Sequence, residues 1–346
     1  MTEAIHPVLL AAADFRQQVL QQEDEAIQRL IQAYGLAYQR MGVQIQALRE
    51  ILTDEPMSRR RAMQLAQLQA LRQQVVDELA RFGVVADNEL SLLTRQSIEM
   101  ALNHSNEMVQ AYFTSPQARQ ALTASLVMLA PDQVETLVGF LSQDSPLHDA
   151  LTAQLGTAVA DRMADRLIDG MVRGFNPVKT AQIVRAELGV GLSWAISTVR
   201  TANMWAYREA TRANYVANSN VVSGWRWHAT LDRRTCPSCL NMHGTLHSLN
   251  QTLNGHHLCR CAMIPELSLA KSLGIDLPEI EPGENWFRQQ DEETQRDILG
   301  PGMLAAWRAG AVTFDKLSHE YENNVYGTML RTATMKELGL EEYYQR

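Results

Sequence analysis

From Ile31 onward the apolar positions fall at Ile31, Tyr34, Tyr38, Met41, Ile45, Leu48 and Leu52, in alternating steps of three and four. Such spacing keeps one seam along the side of a helix and asks for a partner helix. Asp54-Glu55-Pro56 interrupts the pattern. Ser58 is then placed to cap a second helix, whose stripe of Leu65, Leu68, Val75, Leu79 and Phe82 runs to Gly83. The two segments predict an antiparallel hairpin of long helices. Further helices are predicted over about 88–113, 131–143, 147–173 and 177–188, punctuated by Ser115-Pro116, Pro131, Ser145-Pro146, and Gly174 with Pro177.

After a last long helix, predicted from about Ser193 to Asn218, the period changes from 3.6 to 2. Trp225 and Trp227 share one face of a predicted strand, and Arg226 and His228 take the other. A paired tryptophan face is the signature of a core more often than of a platform for stacking bases. All six tryptophans stand at or after position 194, and no strand-like alternation precedes position 220. The fold class is therefore α+β: an extended, mainly α-helical N-terminal region over 1–176, then a small α+β module over 177–346.

Composition narrows the class. With 346 residues, 46% of them hydrophobic, the chain can fill real cores. No window approaches eighteen uninterrupted apolar residues, and Met1-Thr2-Glu3 lacks the basic opening of a secretory signal, which predicts neither membrane span nor export. A net charge of −8 has the wrong sign for a protein that coats nucleic acid. Nine acids between Glu266 and Asp297 face only Lys271, Arg288 and Arg296, a pattern read as a solvated face. The Arg59-Arg60-Arg61 run is read the same way, as a solvated first turn.

All four cysteines fall between positions 236 and 261. In a reducing compartment such clustering points to a metal before disulfides. Cys236-Pro237-Ser238-Cys239 lets a tight turn aim two thiolates at one point, and His256-His257-Leu258-Cys259-Arg260-Cys261 supplies three more donors of matching softness. Five candidates compete for four places around a zinc ion: Cys236, Cys239 and His256, with Cys261 favoured over Cys259 for the fourth. The competing reading is a buried cluster of reduced cysteines or a disulfide. Gly244-Thr245-Leu246-His247 reads as a turn into a short strand, so the knuckle over 236–261 clamps a small hairpin. His243, His247 and His257 are read as surface or hydrogen-bonding imidazoles. Four soft protein donors close the coordination sphere, and neither an H-E-x-x-H helix, an H-x-E deaminase pattern, a phosphate loop nor a nucleophile elbow occurs, so zinc is read as structural and the chain as no enzyme.

The run Trp225-Arg226-Trp227-His228-Ala229-Thr230-Leu231-Asp232-Arg233-Arg234-Thr235-Cys236-Pro237-Ser238-Cys239, then Met242-His243-Gly244, His256-His257-Leu258-Cys259-Arg260-Cys261 and Pro265, resembles phage head morphogenesis proteins of the Mu F type. Trp286-Phe287, Thr294-Gln295, Ile298-Leu299-Gly300, Trp307 and Gly310 resemble that family's closing segment, and Arg200-Thr201 its R-T pair. Where the family commonly has an acid next, this chain has Ala202. The resemblance covers about residues 177–338. It implies a minor capsid protein of a tailed phage or prophage, in the virion head near the portal vertex and in the host cytoplasm during assembly. The portal protein is the implied partner, the major capsid or scaffolding protein and the packaged DNA being further contacts, with a role in head assembly and in DNA packaging or ejection. The alternative is a zinc-dependent nucleic-acid-processing enzyme; a toxin carried on a phage-type module is disfavoured because no extra domain follows position 346.

Overall fold

The computed structural model describes residues 5–51, 57–138, 162, 177–268, 270 and 274–344. Asp54-Glu55-Pro56, nearly all of the helix predicted over 147–173 and the end of that over 131–143 lie outside the described residues, as do the side chains of Leu65 and Leu68. Long helices come first: α1 (Pro7–Ile51), α2 (Met57–Gln110), α3 (Pro116–Ser125), α4 (Pro131–Val138) and α5 (Pro177–Ala217). Then follow β1 (Val222–His228), α6 (Pro237–Met242), β2 (Leu246–Ser248), β3 (Ala262–Leu267), α7 (Gly283–Arg288), α8 (Glu292–Leu299), α9 (Pro301–Arg308), β4 (Ser318–Asn323) and β5 (Gly327–Thr332). The α+β class is as the sequence predicts. Among the described residues no helix is long and apolar enough to cross a membrane.

The chain forms two compact units. The helical unit gathers Gln22–Thr94 and Gly139–Asn203. Its stripes interlock as a hairpin requires: Arg29 pairs with Glu89 at 2.8 Å, Tyr34 meets Phe82 edge-on at 5.1 Å, and Arg40 pairs with Glu78 at 3.1 Å. Partner numbers fall as residue numbers rise, so the two segments run antiparallel. Two expected helix ends are corrected. Gly83 stops nothing, because the stripe of Val75, Leu79 and Phe82 continues through buried Ala86, Leu90 and Leu93. Burying those side chains outweighs the roughly 1 kcal/mol that glycine costs in a helix. The helix expected over 88–113 is thus the second half of α2, and Ser58 lies inside its first turn. Likewise the helices expected over 177–188 and 193–218 are the single α5, which passes through Gly189 and Gly191 toward buried Ala195, Val199 and Ala202. Ala202 stands where the resemblance leads one to expect an acid; Arg200 instead takes Glu23 at 3.1 Å and Asp24 at 2.8 Å.

The second unit comprises Met1–Gln21, Arg95–Val138 and Met204–Arg346. At its centre lies an antiparallel sheet of order β2-β1-β3, with Trp225 opposite both His247 and Pro265, and Trp227 opposite Met263. Both tryptophans are fully buried, which makes their face a core. Phe15, Met108, Tyr112 and Tyr215 join them from the ends of α1, α2 and α5. A second cluster of Leu240, Phe287, Leu304 and Phe314 packs the closing helices. Here Gly283 is compulsory: a Cβ would stand 2.2 Å from the Leu240 carbonyl oxygen, so α7 presses directly on α6. The hairpin β4-β5 closes the unit, and Leu330 N–H donates to the Asn254 carbonyl at 2.7 Å, just ahead of the second ligand loop.

Candidate metal centre

Cys236 is the N-cap of α6. Pro237 takes the first helical position, where a missing N–H costs nothing, and the Cys236 sulfur accepts from Cys239 N–H at 3.3 Å. One turn of helix thereby brings both sulfurs to the same side. The second loop delivers His256, whose Nε2 lies 3.0 Å from Cys236 Sγ and 3.2 Å from Cys239 Sγ. Cys259 Sγ stands 3.7 Å from Cys239 Sγ. That separation is far beyond the roughly 2.05 Å of a disulfide. It matches the ~3.8 Å between two sulfurs that each sit ~2.3 Å from a tetrahedral zinc. All four cysteines are free thiols.

The five predicted donors meet in two triads that share one member: Cys236, Cys239 and His256 form the first, and Cys239, Cys259 and Cys261 the second. Within each, the ligating atoms lie within 4.8 Å of one another. The ring of His256 is oriented toward the cluster, because its Nδ1–H donates to the His257 carbonyl at 2.6 Å and turns Nε2 to the sulfurs. The donors compete for protons as crowded ligands do. Hydrogen bonding from Cys239, with help from His256, holds Cys236 down to about 4 against the pull of burial. Burial lowers the basicity of His256, but the Cys236 hydrogen bond and the charges of Cys259 and Cys236 overcome it and raise it to about 9. Cys239, hydrogen-bonded to three neighbouring thiols, is pushed well up.

Two residues of the sequence motif that had no assigned role tie the loops together. Arg260, between the two cysteines of the second loop, donates to both oxygens of Asp232 at 2.7 Å. Asp232 also accepts from Arg234 N–H at 2.9 Å, while its own N–H donates to Thr235 Oγ1 at 2.9 Å. The Arg260 bond is the main reason the carboxyl sits down at about 2. Alternation explains the arrangement: with Cys259 and Cys261 directed inward, Arg260 points away and reaches the first loop. Each loop also holds a leucine in left-handed backbone, Leu231 at φ 54° and Leu258 at φ 61°, a conformation that ordinarily costs about 1 kcal/mol or more outside glycine.

Gly255 and Arg208 carried no signal in the sequence. A Cβ at 255 would lie 2.6 Å from Cys259 Sγ and 3.2 Å from Arg208 Nη1, so sulfur and guanidinium crowd one point. Arg208 donates to the carbonyls of Cys259 at 2.7 Å and Cys261 at 3.0 Å. The spare histidines have other work. His243 Nδ1 accepts from Ala229 N–H at 2.9 Å, His247 stacks on Trp225 at 4.3 Å, and His257 meets Tyr326 edge-on.

A family model described as phage Mu protein F like protein matches residues 161–264, a span that includes every one of the five donors. No curated protein and no solved structure matches the chain.

Proposed function

We propose that this phage Mu F-like chain is a structural head morphogenesis protein, in which one zinc ion closes the second unit. Its place is the virion head near the portal vertex, reached from the host cytoplasm during assembly. The portal protein is its main partner; the major capsid or scaffolding protein and the packaged DNA are further contacts. The observation that carries the reading is the convergence of three buried sulfurs, one half-buried sulfur and an oriented imidazole inside the hydrophobic core of the matched segment. Cys236, Cys239 and His256 take three positions. For the fourth, Cys259 is favoured over Cys261: its sulfur is at tetrahedral spacing from Cys239, and its charge acts on His256. Cys261 flanks the site, its thiol pushed well up by burial.

When bound, zinc supplies a crosslink between two loops that have few other staples. The chain's own residues do the rest: Asp232 and Arg260 hold the loops in register, Gly255 admits the Cys259 sulfur, and the tryptophan core excludes water. A set of four soft protein donors leaves no open position for a substrate.

The test is to purify the full chain with portal and major capsid proteins, followed by elemental analysis of the isolated chain. Expected are a portal complex and one zinc per chain. Absence of both would sink the proposal. Hydrolysis of nucleic acid that is abolished by His257→Ala or His243→Ala with the fold intact would favour an enzyme instead.

A further inference from the structure

Where α6, α7 and the end of α9 meet, the second unit holds a cleft of about 350 Å³, with Pro282, Glu284, Arg288, Trp307, Phe314 and Asp315 in its lining. None of the five donors of the cysteine–histidine cluster lines it. Its aromatic wall is fixed, because Trp307 meets Phe287 edge-on at 5.2 Å and Phe314 at 6.0 Å. On that wall rests a guanidinium of the chain itself: Arg288 Cζ lies 4.7 Å from the centre of the Trp307 ring, while Arg288 Nε donates to Glu284 Oε1 at 3.1 Å.

The ionisable side chains in the lining are Glu284, Arg288 and Asp315, which leaves one negative charge in excess. Lys316 approaches Asp315 at 3.7 Å, but both side chains are 67% exposed and water screens the pair. The C-terminal end of α9 reaches the cleft at Gly310, and a helix end of that polarity carries partial negative charge. Glu279 and Glu281, both exposed, stand just ahead of Pro282 in the chain. A cation is favoured both inside the cleft and along the approach to it.

Arg288 is a loose occupant. Its side chain is 58% exposed, and an exposed cation–π contact and an exposed pair four residues apart are both weak. A guanidinium from outside that takes the Trp307 face and reaches Asp315 gains a second carboxylate, with which Arg288 forms no ion pair. We propose that the cleft binds an arginine side chain on an extended segment of a partner protein, with Arg288 as the resident stand-in that it displaces. The planar fork suits both the indole face and the carboxylates, which an ammonium does not. The acids continue outside at Glu279 and Glu281, so a basic segment leaving the cleft stays in contact with opposite charge. Nothing in the proposal depends on zinc.

The experiment uses the full chain with its tryptophans replaced by 5-fluorotryptophan and read by fluorine NMR. Trp307→Phe identifies the Trp307 line; if that variant does not fold, Arg288→Gln identifies it by moving it. The probe is acetyl-Gly-Arg-Gly-amide, with citrulline in place of arginine as the uncharged control and agmatine as the free cation. Expected is saturable movement of the Trp307 line with a Kd of about 1 mM for the arginine peptide and binding at least about tenfold weaker for the citrulline peptide. Asp315→Asn should weaken the arginine peptide about fivefold, and Arg288→Gln should tighten it about threefold by removing the competitor. A Trp307 line that does not move, equal binding of the citrulline peptide, indifference to Asp315→Asn, or weaker binding by Arg288→Gln overturns the proposal. Agmatine binding about tenfold tighter than the peptide would make the occupant a free cation. Self-association in sedimentation runs that Asp315→Asn abolishes would make it a second copy of the chain. Either result overturns the assignment to a partner protein.

Discussion

Between Gln22 and Thr94 the described residues are held by contacts spread along two helices, among them Arg29 with Glu89, Tyr34 with Phe82 and Arg40 with Glu78. Between Cys236 and Cys261 four cysteines and a histidine gather in two triads that share Cys239, with a salt bridge and two leucines in left-handed backbone alongside. A distributed stripe tolerates the loss of any one member. A convergent centre does not, because each ligand is required by all the others.

The largest effect that would test this contrast is Cys239→Ala, which removes the sulfur common to both triads. It should abolish zinc binding and destabilise the second unit by about 5 kcal/mol or more, read from the fluorescence of Trp225 and Trp227, while the circular dichroism of the long helices persists. Simultaneous collapse of the helical signal would show that the two units do not differ as described. Next in size, Phe82→Ala should cost the helical unit about 3–5 kcal/mol through the cavity opened beside Tyr34, with zinc content unchanged.

Smallest is the response to acid. His104 stacks on Phe15 at 4.0 Å, accepts from Tyr207 and is held by burial at about 4, below its ordinary 6.5. Because the folded state refuses a proton that the unfolded chain accepts, the stabilisation is complete above pH 6.5 and is lost as pH falls toward 4. Partial solvent access limits it to about 2 kcal/mol. His104 belongs to the second unit, so this part of the acid response is read from that unit. His104→Gln should flatten that dependence in thermal melts; an unchanged slope would remove His104 from the account.

The helix hairpin, the tryptophan strand and the gathering of four cysteines with His256 were legible because each leaves a local period or a short motif. Helix ends were misread at Gly83 and near Gly189, where the sequence shows a glycine but not the packed stripe that carries the helix through it. Asp232 and Arg260 were visible as letters in a motif, yet their mutual bond joins loops 28 positions apart. Gly255 and Arg208 left no trace, since a close approach and a guanidinium on distant carbonyls exist only after distant segments have met. The same holds for the grouping of Met1–Gln21 and Arg95–Val138 with the module: residues such as Phe15 and Tyr112 look like ordinary members of a helical stripe.

The bond from Leu330 to Asn254 has a bearing on how the protein is born. On the ribosome the loop carrying His256 emerges well before the hairpin that braces it. A nascent chain therefore exposes its thiols until the hairpin Ser318–Thr332 has emerged. Until then the loop carrying His256 lacks its brace, and the geometry of the cysteine–histidine cluster waits on a strand that comes some seventy residues later.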